Sequence, residues 1–509
     1  MRQQFLLATI MVALLASGNF LFGIGSPRGA IWDESYYLTS TQRYEDGVAQ
    51  FASHPPLGLM LIAAGDAALR ANSSIDTTAL GREKRVDDSG IPAGFSYTGV
   101  RLASGVFAVL GAVLFFALMF ALTEAIVPAL VFSNLYTFEN AFQGQFRAAH
   151  LDAFQVTFAI AALLFFVLGV QRRSRSSPWL ELGLGTACGL AVMVKVNAII
   201  LILLCLMHIG WRVVVDWRET APRLLMWNVI RQSVVIGGGF ASAIVTVFVV
   251  HLFVSSRLAD SSGPAAQKDA TFISADYRQY LEGQRPLSVD VAWSAAQDYR
   301  TFMGADFSGT PRTDPSGSAV WEWPLARRSI NYRWDSDGVR TSYVQLVGNE
   351  FSWLMALVAP LAVLALLLQR RWEPLQPPRS RQPPRSRQPP RSRQPPRPPS
   401  VRHALMLMIL AEYIAFMAMN ALLGHYRVLY LYHYFIGLVL AFTLLPLIYR
   451  ELSERCSGLK SWQTPALAVF TVLQLGSFVF YSPLSSHQPL THAECERRNV
   501  IQHVVDCRP

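Results

Sequence analysis

Charged residues are scarce in this chain. Only 15% of its 509 residues are Asp, Glu, Lys or Arg, whereas 52% are hydrophobic. That balance is too apolar for an ordinary soluble protein of this length. Several apolar runs also reach the roughly 20 residues that a helix needs to cross a bilayer. The composition therefore predicts a polytopic membrane protein.

Cysteine is also sparse, and its placement excludes one kind of site. The chain has five cysteines, and no spacing among them is typical of a zinc site. Cys188 and Cys205 lie in apolar runs, where buried, unreactive thiols are the usual finding. Cys495 and Cys507 lie in the polar C-terminal tail. The sequence leaves open whether they form a disulfide, which requires that the tail face an oxidising compartment.

Acidic residues are few in one segment, and this explains the net charge of +10. Residues 369–402 contain ten arginines and a single acid, Glu373. Within them, Gln-Pro-Pro-Arg-Ser-Arg occurs three times. Proline at this density favours an extended, solvated chain, so we expect a linker. Binding to anionic lipid headgroups is the alternative. The basic balance is local and does not indicate nucleic-acid binding.

The apolar runs predict about eleven transmembrane helices. The first run follows a basic N-terminus, for which a cleaved signal peptide is the alternative. A shorter apolar piece, Leu57–Leu69, predicts an interfacial or re-entrant helix. The predicted spans are residues 5–24, 100–122, 124–142, 150–170, 179–195, 197–215, 232–254, 350–368, 403–423, 429–449 and 463–481.

The arginine-rich connections predict the orientation, because positively charged loops stay on the cytoplasmic side. This rule places the linker inside and the two large polar loops outside, where we expect the chemistry. The predicted organisation is a membrane module (1–254) with a catalytic external loop (25–99), a second external loop (255–349), one helix (350–368), the cytoplasmic linker (369–402), a second membrane module (403–481) and an external tail (482–509).

Two adjacent acids follow the first span. Asp33 and Glu34 lie where carboxylates are costly to desolvate, so they need water or a function. A solvated loop is the alternative for such a pair. His54 follows twenty residues later, directly before Pro55-Pro56. The two prolines fix the backbone and bar a helix before Leu57, which holds His54 at the start of the short helix.

These residues resemble the first external loop of the protein O-mannosyltransferase family. The resemblance rests on Asp33-Glu34 with Tyr36-Tyr37, then His54-Pro55-Pro56-Leu57-Gly58. Further matches follow in chain order: Phe138-Glu139-Asn140, Arg147, Leu151-Asp152, Gly189 to Lys195, Trp321-Glu322-Trp323-Pro324-Leu325, Arg328, Ile330, Tyr332, Gly348-Asn349, Trp353, Tyr426-Arg427 and Tyr430 to Tyr434. The ordered set covers most of the chain.

The resemblance implies an all-α polytopic protein of the GT-C glycosyltransferase fold. It implies an inverting enzyme that moves a sugar, mannose in the family, from a polyprenyl-phosphate carrier to Ser/Thr hydroxyls of proteins, without a metal or other cofactor. The loop of about 95 residues (255–349) is too short for the β-trefoil domain of eukaryotic members. A bacterial member is therefore expected, in the inner membrane, with its site facing the periplasm.

The reaction assigns a role to each matching residue. A carboxylate can take the proton of the acceptor hydroxyl, and the resemblance puts this role on Asp33, with Glu34 as an orienting group. The leaving phosphate needs fixed cations, for which Arg147 and Arg427 are the first candidates. The other predicted substrate-binding residues are His54, His433, Tyr430, Glu139, Asp152 and Lys195, with Trp321, Glu322 and Trp323 as a loop motif.

Structural and functional alternatives stay open at this point. Glu139, Arg147 and Asp152 could pair with each other at the interface, Lys195 could extend from a span towards water, and the tryptophans could belong to an aromatic belt. A lipid A or envelope-glycan transferase of the same fold is the nearest alternative function. A transporter would predict an internal repeat, which the sequence does not show.

Overall fold

A computed structural model describes residues 2–172, 177–217, 220–260, 263–372, 400–455, 461–500 and 505–508. The Gln-Pro-Pro-Arg-Ser-Arg repeats lie outside the described residues, so the linker prediction stays a prediction. The helices are α1 (Arg2–Phe20), α2 (Glu34–Glu45), α3 (Leu57–Leu69), α4 (Thr98–Thr123), α5 (Ile126–Thr137), α6 (Asn140–Phe146), α7 (Asp152–Gln171), α8 (Pro178–Val194), α9 (Ile202–Asp216), α10 (Pro222–Val254), α11 (Pro264–Ala270), α12 (Ala275–Leu281), α13 (Val289–Gly309), α14 (Glu350–Trp372), α15 (Val401–Leu423), α16 (Phe435–Arg455), α17 (Gln463–Ser485) and α18 (His492–Glu496).

Nine helical segments of the described residues are long and apolar enough to cross a membrane: α1, α4, α7, α9 together with the preceding turn Val196–Leu201, α10, α14, α15, α16 and α17. The shorter apolar helices α5 and α8, of 12 and 17 residues, occupy the two remaining predicted spans. The predicted span 124–142 is wrong in extent, because α5 ends at Thr137 and α6 begins at Asn140. The short helix predicted over Leu57–Leu69 is confirmed as α3.

The centre of the helical bundle is formed by α4, α5, α6, α7 and α16, whose apolar side chains make one cluster. Aromatic rings join these helices. Phe142 of α6 stacks on Phe146 with ring centroids 4.7 Å apart, and Phe435 of α16 meets Phe142 edge-on at 5.0 Å. Such offset and edge-on pairs stabilise packing beyond the area that they bury. Trp32, next to Asp33, packs against this same cluster.

The two large loops pack together at one end of the bundle, which we call the loop end. Val48 and Arg257 form a parallel β-bridge, with Ala49 N donating to Arg257 O at 2.8 Å. Phe51 of the first loop stacks on Phe302 of α13 at 5.6 Å. These contacts bury a separate apolar cluster between the loops. One structural layer therefore combines residues 25–99 with residues 255–349.

A small antiparallel sheet also lies at the loop end, and the all-helical prediction did not include it. Its strands are β1 (Ile330–Ser336), β2 (Thr341–Leu346) and β3 (Pro489–Leu490), in the order β1-β2-β3. The third strand belongs to the C-terminal tail, which also carries a Cys495–Cys507 disulfide. The tail therefore lies at the same end of the molecule as the second large loop.

Candidate active site

A cavity of about 640 Å³ opens at the loop end, between the two large loops and the start of the segment that leads into α16. It brings together six residues that the sequence singled out, although they are spread over four hundred positions. These residues are Asp33, His54, Lys195, Arg427, Tyr430 and His433. The convergence of one acid, two cations and two imidazoles in a cavity is typical of an active site.

Asp33 is the predicted catalytic carboxylate among the cavity residues, which also include Asp306 and Asp314. It precedes α2, and Trp32 before it has a φ of 49°, in the left-handed region that bulky residues rarely adopt. Trp32 is held there by Tyr332 and Tyr430, with ring centroids at 5.4 and 5.9 Å. Among the described residues, none hydrogen-bonds or ion-pairs with the Asp33 carboxylate. Burial raises the pKa of Asp33 above its ordinary value of 3.8, against the lowering charges of His150 and Lys195. A carboxylate in this state is a stronger base.

Glu34 has the opposite environment. Its side chain is fully buried, and Arg101 of α4 contacts both of its oxygens at 2.7 Å. The backbone N–H groups of Ile31 and Ala149 donate to the same carboxylate at 2.8 and 2.6 Å. Burial alone would raise the pKa of Glu34, but the Arg101 charge and these hydrogen bonds lower it. Glu34 is a fixed anion that anchors the loop, in keeping with an orienting role.

Arg427 and Lys195 are the cations that face the cavity from the bundle. The Arg427 guanidinium lies 5.5 Å from the centre of the Phe307 ring, and its Nε is buried without a hydrogen-bond partner. Lys195 directly follows α8, and its Nζ lies 2.7 Å from Asp152 Oδ1 and 5.1 Å from the centre of the Tyr432 ring. Lys195 is thus paired with Asp152, whereas Arg427 has an unused hydrogen-bond donor.

Asp152 holds residues at the wall of the cavity in place. Besides Lys195, it accepts a hydrogen bond from Gln145 Nε2 at 2.7 Å, and Gln145 Oε1 accepts one from the Tyr332 hydroxyl. The alternative that Lys195 only extends towards water is excluded by this buried pair. Asp152 does not itself line the cavity, but its carboxylate holds Lys195, which does; its role in substrate binding stays a prediction.

The two histidines and Tyr430 line the cavity between the acid and the cations. Burial, together with the charges of Lys195 and Arg427, lowers the pKa of His54 to about 3. His54 is therefore neutral at physiological pH. Its carbonyl accepts a hydrogen bond from the Tyr299 hydroxyl at 2.8 Å, which fixes the turn before α3. The rings of Tyr430 and His433 stack at 6.0 Å.

Two predicted substrate-binding residues, Arg147 and Glu139, do not line the cavity, so their binding roles stay predictions without support from this geometry. Arg147 donates to the Asn19 and Gly23 carbonyls at the end of α1, at 2.8 and 3.1 Å. Glu139 accepts hydrogen bonds from Asn349 N at 2.7 Å and Trp353 Nε1 at 2.9 Å. The Glu139 contacts satisfy buried N–H groups, whereas those of Arg147 are part-buried or exposed. Their role in this structure is to join helices.

The motif Trp321-Glu322-Trp323 is divided by the structure. Trp323 is fully buried and stacks against His433 at 6.5 Å, so it supports a cavity residue. Glu322 accepts a hydrogen bond from Ala319 N at 3.0 Å and shapes the turn. Trp321 is 67% exposed and lines a neighbouring cavity of about 440 Å³ that shares Arg427. The three residues therefore do not act as one group.

Sequence reasoning missed Arg101 and the cations Arg43, Lys84 and Lys268 that line the cavity. A signal for Arg101 was present, because it is the single charge within α4 and a charge in a span needs a partner. No local pattern marks Arg43, whose partner Asp269 is 226 positions away. Within the described ranges, no set of three or more His, Cys, Asp or Glu side chains is placed to hold a metal ion.

Comparison with one solved structure shows a shared fold. The chain is similar to the S. cerevisiae protein O-mannosyltransferase Pmt1-Pmt2 complex bound to the sugar donor, at 13% identity, covering 98% of this chain and 92% of that chain with a TM-score of 0.79. The oligosaccharyltransferase AglB from Archaeoglobus fulgidus has 10% identity over 99% of this chain and 60% of that chain, with a TM-score of 0.48. ArnT from Cupriavidus metallidurans has 12% identity over 90% of this chain and 79% of that chain, with a TM-score of 0.31.

Family models match both halves of the chain, while no curated protein does. Residues 10–254 match the model of dolichyl-phosphate-mannose-protein mannosyltransferase, and residues 301–504 match the C-terminal four-transmembrane region of protein-O-mannosyltransferase. Together these matches leave out only the ends of the chain and residues 255–300. The chain therefore belongs to the protein O-mannosyltransferase family, multi-pass membrane enzymes of the GT-C fold that use polyprenyl-phosphate mannose as the sugar donor.

Proposed function

We propose that the cavity around Asp33 is the active site and that Asp33 is the general base. One observation carries the proposal most directly. The Asp33 carboxylate has a raised pKa and no partner among the described residues, and it faces the same cavity as Arg427 and Lys195. A base and a phosphate-binding group on one cavity are the two requirements of this transfer.

The proposed reaction is a single displacement. The Asp33 carboxylate takes the proton of a Ser or Thr hydroxyl, whose oxygen attacks the anomeric carbon of mannose. The bond from that carbon to the phosphate oxygen breaks, and the polyprenyl phosphate leaves with the bonding electrons. Because attack and departure occur on opposite faces of the sugar, the product has the inverted anomeric configuration. Glu34 takes no part in proton transfer and holds the Asp33 segment in place.

Arg427 is proposed to bind the donor phosphate directly, with Lys195, the neutral His54 and His433 as further partners. Phosphate charge grows as the carbon–oxygen bond breaks, so fixed donors stabilise the transition state more than the bound donor. Arg427 suits this role because its Nε has no partner among the described residues. In this proposal, fixed cations do the work that a metal does in other transferases, and chelators should leave the rate unchanged.

The proposed location is the periplasmic face of a bacterial inner membrane. The arginine-rich connections favour a cytoplasmic linker, which puts the loop end outside. The Cys495–Cys507 disulfide at the loop end suits an oxidising compartment. The acceptor is proposed to be a protein, in keeping with the family, and a lipid A or envelope glycan is the alternative that the assay must separate.

The test uses purified protein in detergent or proteoliposomes. Polyprenyl-phosphate mannose with a labelled sugar is supplied with a Ser/Thr peptide, with lipid A, or with neither. The proposal predicts O-mannosyl peptide of inverted configuration, a lower yield on lipid A, and no change with EDTA. Label on lipid A alone would contradict the protein acceptor. Retention of the donor configuration would contradict the single displacement.

A further inference from the structure

One wall of the active-site cavity is basic and takes no part in the mechanism proposed above. It is formed by Arg43, Lys84 and Lys268, of which Arg43 and Lys84 ion-pair with the buried carboxylate of Asp269. Arg43 Nη1 lies 2.9 Å from Asp269 Oδ2, and Lys84 Nζ lies 2.6 Å from Asp269 Oδ1. Two of these cations therefore share one acid, and with Lys268 included the group has a net charge of about +2 when all members are ionised.

The cations of this wall have unused hydrogen-bonding capacity. The Arg43 side chain is only 5% exposed, and its buried Nη2 has no hydrogen-bond partner. Lys268 forms no ion pair with any described residue. Its Nζ lies 5.3 Å from the centre of the Phe302 ring, and Lys84 Nζ lies 4.9 Å from the same ring. A buried donor without a partner, such as Arg43 Nη2, is costly, and beside the exposed charge of Lys268 it indicates an anionic ligand.

The elements that carry this wall indicate which substrate it meets. Arg43 lies on α2, Lys84 in the first large loop and Lys268 on α11, all outside the candidate spans. Lys195 and Arg427, by contrast, lie just past the ends of the apolar helices α8 and α15. A lipid-linked donor reaches the cavity from the bilayer, next to the second pair. A water-soluble acceptor polypeptide arrives among the loops, next to the basic wall.

We propose that the Arg43–Lys84–Lys268 wall is an acceptor subsite that binds a carboxylate side chain of the acceptor polypeptide close to the mannosylated Ser or Thr. The inference rests on the proposed function, and it adds a preference for acidic sequence around the modified hydroxyl. Arg43 offers its free Nη2 to the carboxylate, and the two lysines add charge and hydrogen-bond donors. Asp306, one turn beyond Phe302 on α13, also lines the cavity and opposes such a ligand.

The test compares matched acceptor peptides, each with one Thr and with either Glu or Gln at neighbouring positions. The measured quantity is the ratio of kcat/KM for the Glu peptide to kcat/KM for the Gln peptide. Wild-type protein is expected to favour Glu by about fivefold, which corresponds to one partly exposed charge pair. Using a ratio on one protein preparation removes differences in folding and donor binding.

Three variants locate the preference. Lys268→Gln changes an exposed side chain, so the fold is retained and the ratio should fall to about one or two. Arg300→Gln removes an exposed arginine of α13 that does not line the cavity, and the ratio should stay as in wild type. Asp306→Asn should raise the ratio, because it removes an opposing charge from the cavity wall. Opposite effects from two changes in charge cannot arise from general damage.

The pH dependence of the same ratio gives an independent check. Burial lowers the pKa of Lys84 to about 8, although the Asp269 charge opposes this. Lys84 therefore loses its charge as the pH rises through about 8, while Arg43 keeps its own. The preference for the Glu peptide is expected to weaken between pH 7 and pH 9 in wild type.

Each outcome separates the inference from the function on which it rests. If both peptides are mannosylated equally and Lys268→Gln changes nothing, the acidic-acceptor subsite is wrong while the transferase activity stands. If no peptide is mannosylated but lipid A phosphates support transfer that Lys268→Gln weakens, the wall binds an anionic glycolipid and the peptide proposal is overturned. If no acceptor is modified at all, the proposed function itself fails.

Discussion

Asp33 and Glu34 are neighbours in sequence and carry the same functional group, yet the structure treats them in opposite ways. Glu34 points into the protein, where Arg101 and two backbone N–H groups saturate its oxygens. Asp33 faces the cavity, and no described residue forms a hydrogen bond or an ion pair with it. The pKa of Glu34 is lowered by its partners, whereas burial raises the pKa of Asp33.

The comparison teaches how a reactive carboxylate is kept reactive. A buried anion with several donors is stable and weakly basic, so Glu34 is suited to hold the chain. A buried anion without donors is unstable and more basic, and it persists only when its surroundings fix it. The Glu34–Arg101 pair and the packing of Trp32 supply that fixation. The stable Glu34–Arg101 pair thus holds the neighbouring Asp33 carboxylate in its reactive, unpartnered state.

The sharpest contrast comes from replacing each acid by its amide. Asp33→Asn removes the base and is expected to lower kcat by about 10²- to 10⁴-fold, the usual contribution of general base catalysis. The rate is measured with labelled polyprenyl-phosphate mannose and a Thr peptide. A decrease of less than about threefold would mean that another group takes the proton.

Asp33→Asn and Glu34→Gln should also differ in stability, and here Glu34→Gln is expected to have the larger effect. Glu34→Gln leaves Arg101 buried without its counter-charge and is expected to cost about 3–5 kcal/mol of unfolding free energy. Asp33→Asn should leave the thermal midpoint unchanged or higher, because it removes a charge whose burial is unfavourable. Thermal unfolding in one detergent compares the two. Equal losses of stability would break the distinction between the two acids.

The two predicted phosphate-binding arginines give a second matched pair. Arg427→Gln should lower kcat/KM by about 10²-fold, since it removes a fixed donor from the developing phosphate charge. Arg147→Gln should affect turnover far less and act through stability, because Arg147 is engaged by carbonyls at the end of α1. Kinetics at saturating acceptor measure both. Similar decreases in kcat/KM for both variants would mean that Arg147 does bind the donor phosphate.

The smallest expected effect is on the acid limb of the pH–rate profile. Asp33 must be ionised to accept a proton, so activity falls as the pH drops through its pKa. Burial raises that pKa above 3.8, so the limb lies at a higher pH than for an exposed aspartate. Glu34 has a lowered pKa and should add no limb in this range. The residual activity of Asp33→Asn should lack the limb altogether.

Much of the fold could be predicted because apolar runs long enough to cross a bilayer can be identified from the sequence alone. Leu57–Leu69 was predicted to the residue, since Pro55-Pro56 fix its start and an apolar run fixes its length. The span predicted at 124–142 was too long because hydropathy does not register the break at Glu139. That break depends on Asn349 and Trp353, more than two hundred positions away.

The candidate site was predicted in part for the same reason. Asp33, His54 and Arg427 line one cavity as expected, because each belongs to a local motif at the end of a helix or a short loop. Arg43 and Lys84 were missed, because only the folded chain shows that α11 brings Asp269 between them. The β1-β2-β3 sheet was missed because its third strand comes from the tail. Such long-range pairings are not encoded in local pattern.

The central claim is that Asp33 performs proton transfer and is not required for donor binding. The direct measurement is a single-turnover experiment on Asp33→Asn with the labelled donor bound beforehand and the Thr peptide added in excess. We expect donor affinity within about twofold of wild type and a chemical step slowed by at least about 10²-fold. A chemical step as fast as that of wild type would contradict the assignment of Asp33 as the general base.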